Sequence, residues 1–382
     1  PDSAIARYRL ALEQDPEGVE VLMSMGETFH HLVLEAGAGD SAIALFERIT
    51  EIDPDFTPAL IHLAENYFRG GATDRAERLV AKLDSVGAKP DILARLKASL
   101  ECVRGGSDNM EWQEWVRDTP TSVVMSGTLL AAAGAQLGCA EDAYRASLEV
   151  VGAARSNRWG ARLALQSLLL ALGRYDEMAA VLDSAAPDVR GSTEAMYLIN
   201  AIAGAPVSDR AAEVAATRCS NPLSHNVPML WLCGMWASSN RDAEQMRAIQ
   251  DAVAVKSNSN PSRRDSLIAR SLTAFEALAA GDSATALELF GELKTTGLSG
   301  DLSWQPWEPL AAERITLARL LLARGDYEEA HWVASAFDHP QPVIYVAFLP
   351  ASLSVRIDAA IGMDEQNLAD EYRRRLMELR QR

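Results

Sequence analysis

Six histidines and four cysteines are the residues of this 382-residue chain best suited to hold a metal or to run thiol chemistry. The histidines are His30, His31, His62, His225, His331 and His339. His30 and His31 follow Phe29 in one helix-like segment, and His62 stands near Tyr67 in the next. Adjacent residues on a regular helix point about 100° apart, so His30 and His31 are expected to face different ways and not to share an ion. No His-x-x-x-His pair occurs, and no cysteine stands at metal-ligand spacing. The sequence therefore predicts no metal and no cofactor. Cys102, Cys139, Cys219 and Cys233 are too few for a disulfide framework and lack C-x-x-C spacing. They read as free buried thiols, which favours a reducing, cytoplasmic setting. An extracytoplasmic location is the alternative, were a signal or membrane segment to precede Pro1. Cys219 and His225 share a loop-like stretch with no third group to orient them. No serine sits in G-x-S-x-G, and "GAGD" and "RGG" read as turns, not phosphate loops. No catalytic residue is predicted, and the chain is not expected to be an enzyme.

The tryptophans suggest binding. Trp112 and Trp115 stand at i, i+3 in an acidic segment, and Trp304 and Trp307 flank Pro306. Such aromatics anchor peptides at interfaces. Trp231 and Trp236 lie in an apolar helix and read as packing.

Charge narrows the partners. With 36 Lys plus Arg against 53 Asp plus Glu, the formal charge is −17. Nucleic acid needs a basic footprint, and anionic lipid attracts basic segments, so neither fits. The longest apolar stretch, 123–138, is broken by polar residues and glycine and is too short for a clean membrane span. A protein or peptide partner, basic in character, is the expectation, with self-association as a further one.

The elements that must position these residues repeat. Ala4, Tyr8, Ala11 and Pro16 return as Ala42, Phe46, Ile49 and Pro54. Between them, Leu22, Met25, Gly26 and Phe29 return as Leu60, Leu63, Ala64 and Tyr67. The period is about 34 residues, with four extra residues in "EAGAGD". Each unit reads as two antiparallel helices, with Gly26 or Ala64 allowing close approach and Tyr8, Phe46 and Val80 filling the hole between neighbours. Gly138, Gly173, Gly281 and Gly325 mark later turns in weaker copies of the pattern.

Residues 1–90 resemble tetratricopeptide repeats (TPR), and 305–380 resemble them well. The resemblance extends to the repeat-bearing C-terminal regions of bacterial serine/threonine kinases and related transcriptional regulators. No H-R-D, D-F-G or kinase glycine loop is present, so kinase activity does not carry over. The resemblance implies an all-α fold, a right-handed α-solenoid of about ten helix hairpins. One continuous superhelix over 1–382 is expected, with kinks near 101–120 and 257–264. Its concave face would be lined by first helices, placing Ser24, Thr28, His31, His62 and Asn66 toward a partner, with Trp112, Trp115, Trp304 and Trp307 as aromatic contacts. A non-catalytic interaction scaffold or sensory repeat region follows. The alternative is an assembly subunit that stacks head to tail through its terminal helices.

Overall fold

The computed structural model describes residues 1–119, 137–149, 155–184, 190–259, 262–295, 307–338 and 344–381. Trp304 and most of the apolar stretch 123–138 lie outside these residues. Twenty α-helices and no strand occur among the described residues. The chain divides into two compact units, the first mainly residues 1–168 and the second mainly 169–381. The division falls inside one helix, away from both expected kinks.

The first unit holds α1 (Asp2–Gln14), α2 (Val19–His31), α3 (Ala38–Ile52), α4 (Thr57–Arg69), α5 (Thr73–Ser85), α6 (Pro90–Gly105), α7 (Met110–Asp118) and α8 (Leu137–Glu149). Each helix from α1 to α7 packs on the next in chain order, and α4 also meets α6. That nearest-neighbour stacking of hairpins is the α-solenoid arrangement. The repeat residues sit where close packing needs them. A Cβ on Gly26 would come within 2.5 Å of the Phe46 ring. Phe46 is fully buried with Ala42, Ile49 and Ala59. Ala64, Ala76, Val80 and Leu83 build the equivalent core one hairpin later.

Helix α9 (Arg155–Leu172) leads into the second unit. There follow α10 (Tyr175–Asp183), α11 (Arg190–Ala203), α12 (Asp209–Arg218), α13 (Val227–Ser239), α14 (Ala243–Ser259), α15 (Arg263–Ala279), α16 (Ser283–Gly291), α17 (Ala311–Arg324), α18 (Tyr327–Ser335), α19 (Ile344–Gly362) and α20 (Gln366–Gln381). The hairpin turns share one hydrogen bond. The amides of Arg174, Asp242, Asp282, Asp326 and Glu365 each reach a carbonyl five residues back, on Leu169, Ala237, Ala277, Leu321 and Ala360. This six-to-one closure requires a left-handed residue just before the donor. Gly173, Gly281 and Gly325 supply it, with φ of 75°, 82° and 91°. Arg241 and Asp364 adopt the same conformation without glycine. The turn therefore persists where its sequence signal is lost.

The second unit also brings its beginning and end together. Helix α11 packs against α19, and the Arg380 guanidinium on α20 donates to the Tyr175 hydroxyl on α10 at 3.3 Å. Helix α19 is long and apolar enough to cross a membrane by length and composition, but it is mostly buried in this unit. It continues through Pro350 and packs on α17, α18 and α20.

The thiol expectation is corrected. Cys102–Cys139 and Cys219–Cys233 are both disulfides, and no free cysteine remains. Their Cα separations of 6.1 and 5.4 Å lie in the bridging range. Sequence spacing concealed the pairing because hairpin stacking, not local sequence, brings α6 beside α8 and the end of α12 beside α13.

Candidate functional site

Helices α2, α4 and α6 are the first helices of successive hairpins. Helix α2 carries Glu27, His30 and His31 in its C-terminal half, and α4 carries His62, Glu65 and Asn66 from its middle onward. Spacings of three and four residues gather each set on one helix face. Arg95 joins them from α6.

The side chains form a ladder across the three helices. His62 spans two carboxylates, with Nδ1 at 3.0 Å from Glu65 Oε2 and Nε2 at 3.0 Å from Glu27 Oε1. Glu27 also lies 3.4 Å from His31 Nε2. Glu65 lies 3.5 Å from His30 Nε2 and accepts from Arg95. The Asn66 amide donates to His30 Nδ1 at 3.1 Å and to the His62 carbonyl at 2.7 Å. The ladder is graded in depth. His30, Glu65 and Asn66 are buried, His31 and His62 are half-buried, and Glu27 is the most exposed.

This arrangement fixes the charges. Hydrogen bonds from His31 and then His62 hold the Glu27 carboxyl well below the usual carboxylate range. Burial works against ionisation of Glu65, but hydrogen bonds from His30 and His62 and the Arg95 charge outweigh it and hold its pKa low. Burial likewise opposes charging of His62, and its bonds to Glu27 and Glu65 reverse that, so its pKa is raised. The result is a chain of charge-assisted hydrogen bonds linking three helices.

The expectation that His30 and His31 point apart is not met. Their ring centroids are 4.4 Å apart, and those of His30 and His62 are 4.8 Å apart. The 100° rule governs Cα–Cβ directions, whereas imidazoles at the tips of side chains swing toward shared neighbours. His31 is also the last residue of α2, where the helix no longer constrains it on one side. One ring nitrogen from each of His30, His31 and His62 lies within 4.8 Å of the other two.

His31, His62 and Asn66 therefore come together, and Glu27, Glu65, His30 and Arg95 join them. The acidic residues were hidden in a sequence rich in acids; their i, i+3 and i, i+4 relation to the histidines was the available signal. Ser24 and Thr28 stand earlier on α2, where Ser24 donates to the Glu20 carbonyl and Thr28 to that of Ser24. The tryptophans are placed differently. Trp112 is 0% exposed in the core of α6, α7 and α8, and Trp115 stacks on it with centroids 5.3 Å apart. Trp307 is also buried. Trp112 and Trp307 thus fill space inside the fold and do not present the aromatic contact expected of them.

The second unit has its own buried polar centre. Trp231 Nε1 on α13 and Ser271 Oγ on α15 both donate to Glu313 Oε1 on α17, at 2.8 and 2.5 Å. Burial raises the Glu313 pKa against the effect of these bonds. Arg356 on α19 is buried with its guanidinium 4.7 Å from the centre of the Tyr372 ring.

Residues 33–100 match the tetratricopeptide repeat. The matched segment contains α3 to α5 and most of α6, and with them His62, Glu65, Asn66 and Arg95. No curated protein matches the chain. Among solved structures, the P58(IPK) TPR domain is 11% identical, with 94% of this chain and 93% of that one covered and a TM-score of 0.24. The structure of Naa15/Naa10 bound to HypK-THB is 12% identical, covering 96% of this chain and 64% of that one at a TM-score of 0.23.

Proposed function

We propose that the chain is a non-catalytic interaction scaffold that captures a protein or peptide along the first helices of its N-terminal hairpins. The observation that carries this reading is the row of polar side chains shared by α2, α4 and α6 in the segment that matches TPR repeats. Stacked hairpins fix such a row with little freedom left to lose, which favours recognition of an extended segment. Glu27 at its open edge gives a basic segment something to pair with. The finer reading, a sensory repeat region of a bacterial regulator, is supported by the sequence resemblance. The two disulfides favour an oxidising, extracytoplasmic setting over the cytoplasm. The test is capture of basic and acidic peptide libraries by the full chain at low and high salt. Basic peptides bound at low salt, weakened at high salt and by Glu27→Gln, support the proposal. Equal binding of both libraries, unaffected by Glu27→Gln, rejects it.

Head-to-tail assembly is favoured by a separate observation. Helix α1 packs on α2, leaving Leu10 59% exposed. Light scattering over a concentration series would show growth that Leu10→Asp abolishes; a constant mass rejects assembly.

A further inference from the structure

We infer that His30, His31 and His62 form a binding site for one divalent transition-metal ion of the zinc class, closed on the solvent side by Glu27. Three imidazoles on two adjacent helices meet here, with one nitrogen from each inside a 4.8 Å span. Zinc bonds to nitrogen at about 2.0–2.1 Å in a tetrahedron, which sets its nitrogen ligands about 3.4 Å apart. Contraction by at most about 1.4 Å, with His30 exchanging its Asn66 or its Glu65 partner for the metal, would seat the ion.

The surroundings supply what a metal site needs beyond its ligands. Zinc-bound histidine commonly hands its other ring N–H to a carboxylate, which fixes the ring. Glu65 is placed for that role, at 3.0 Å from His62 Nδ1 and itself held by Arg95. His62 Nε2 then faces Glu27, whose two oxygens lie 3.0 Å from it and 3.4 Å from His31 Nε2. An ion entering between them would take Glu27 as its fourth ligand, giving three nitrogens and one oxygen. Imidazole with carboxylate suits Zn²⁺ and its neighbours and not Ca²⁺ or Mg²⁺, which demand oxygen cages. Burial of His30 on one side and exposure of Glu27 on the other leave an entry path. With all four cysteines in disulfides, thiolates do not compete for the ion. Such an ion would clamp α2 to α4 across the hairpin boundary.

The experiment uses the full chain, disulfides intact, stripped with chelator and titrated with ZnCl₂ by calorimetry, with retained zinc counted by mass spectrometry. One ion per chain is expected. The double variant His31→Gln, His62→Gln should lose it, and Glu27→Gln should weaken it at least as much as loss of an outer-shell partner does, about 10- to 100-fold. Circular dichroism melts establish that each variant is folded. A readout that needs no variant is Co²⁺ substitution, where intense visible absorption marks tetrahedral coordination. Absence of stoichiometric zinc, unchanged affinity in the folded double variant, or a weak octahedral Co²⁺ spectrum would each overturn the inference.

Discussion

Glu65 and Glu313 occupy similar places in the two units and meet opposite fates. Both are buried glutamates on first helices of hairpins, bonded to side chains of neighbouring first helices. Glu65 has imidazoles and a guanidinium around it, and its pKa is driven low. Glu313 has an indole and a hydroxyl, and burial drives its pKa up. The first holds its helices together as an anion hydrogen-bonded by imidazoles and paired with a guanidinium. The second leans toward a neutral acid among neutral donors. Burial alone does not decide the charge of a carboxyl; the ionisability of its partners does.

Replacing each glutamate by glutamine separates the two cases most sharply. Glu65→Gln leaves Arg95 and the histidines without their buried anion and should cost about 3–5 kcal/mol of unfolding free energy in urea titration. A cost below 1 kcal/mol, by that same yardstick, would mean the ladder is not ion-paired. Next in size is the close approach at Gly26. Gly26→Ala drives a methyl into the Phe46 ring, which is walled in by core residues, and should cost about 1–3 kcal/mol. At Gly234, the corresponding contact in the second unit, the new methyl would meet the tip of the buried Leu272, an aliphatic side chain with more rotamers open to it than the Phe46 ring has. Gly234→Ala should therefore be the milder of the two when thermal melts are compared.

Glu313→Gln keeps an oxygen for Trp231 and Ser271 while removing the titration. Because the folded pKa of Glu313 is raised above 4.5, its contribution is complete below that pH and is lost as pH rises through the folded value. Melting curves from about pH 4 to 8 should show wild type falling relative to the variant by on the order of 1 kcal/mol. A constant difference would show that Glu313 does not titrate in this window. The smallest effect belongs to exposed pairs such as Arg48 with Glu51. Arg48→Ala should move stability by no more than about 1 kcal/mol, and added salt should shrink even that.

How much could be read beforehand depended on sequence range. The hairpins, the close approach at Gly26 and the buried Phe46 follow from spacings within one period, because packing inside a hairpin is local. His31, His62 and Asn66 were visible as members of one row because the repeat period places them on the first helices of successive hairpins. The meeting of His30 with His31 was not, since helix geometry fixes backbone directions and not ring positions. Cys102 finds Cys139 across 37 residues, and Trp231 finds Glu313 across 82. Such contacts depend on how hairpins curve over one another, which single-repeat spacing does not encode. Trp112 looked like a surface anchor because its neighbours are acidic, yet its own face of α7 turns into the core.

The contact between Arg380 and Tyr175 also bears on the order in which the protein is made. A linear array of hairpins can fold as it leaves the ribosome, each pair settling on the one before. In the second unit, α10 and α11 await α19 and α20, translated about 200 residues later. At roughly 5–20 residues per second, that leaves the contacts with α19 and α20 unmade for tens of seconds. During nascent-chain growth the N-terminal hairpins can be finished while the second unit still lacks the contacts that join its two ends, and a ribosome stall before α19 would leave those contacts unmade.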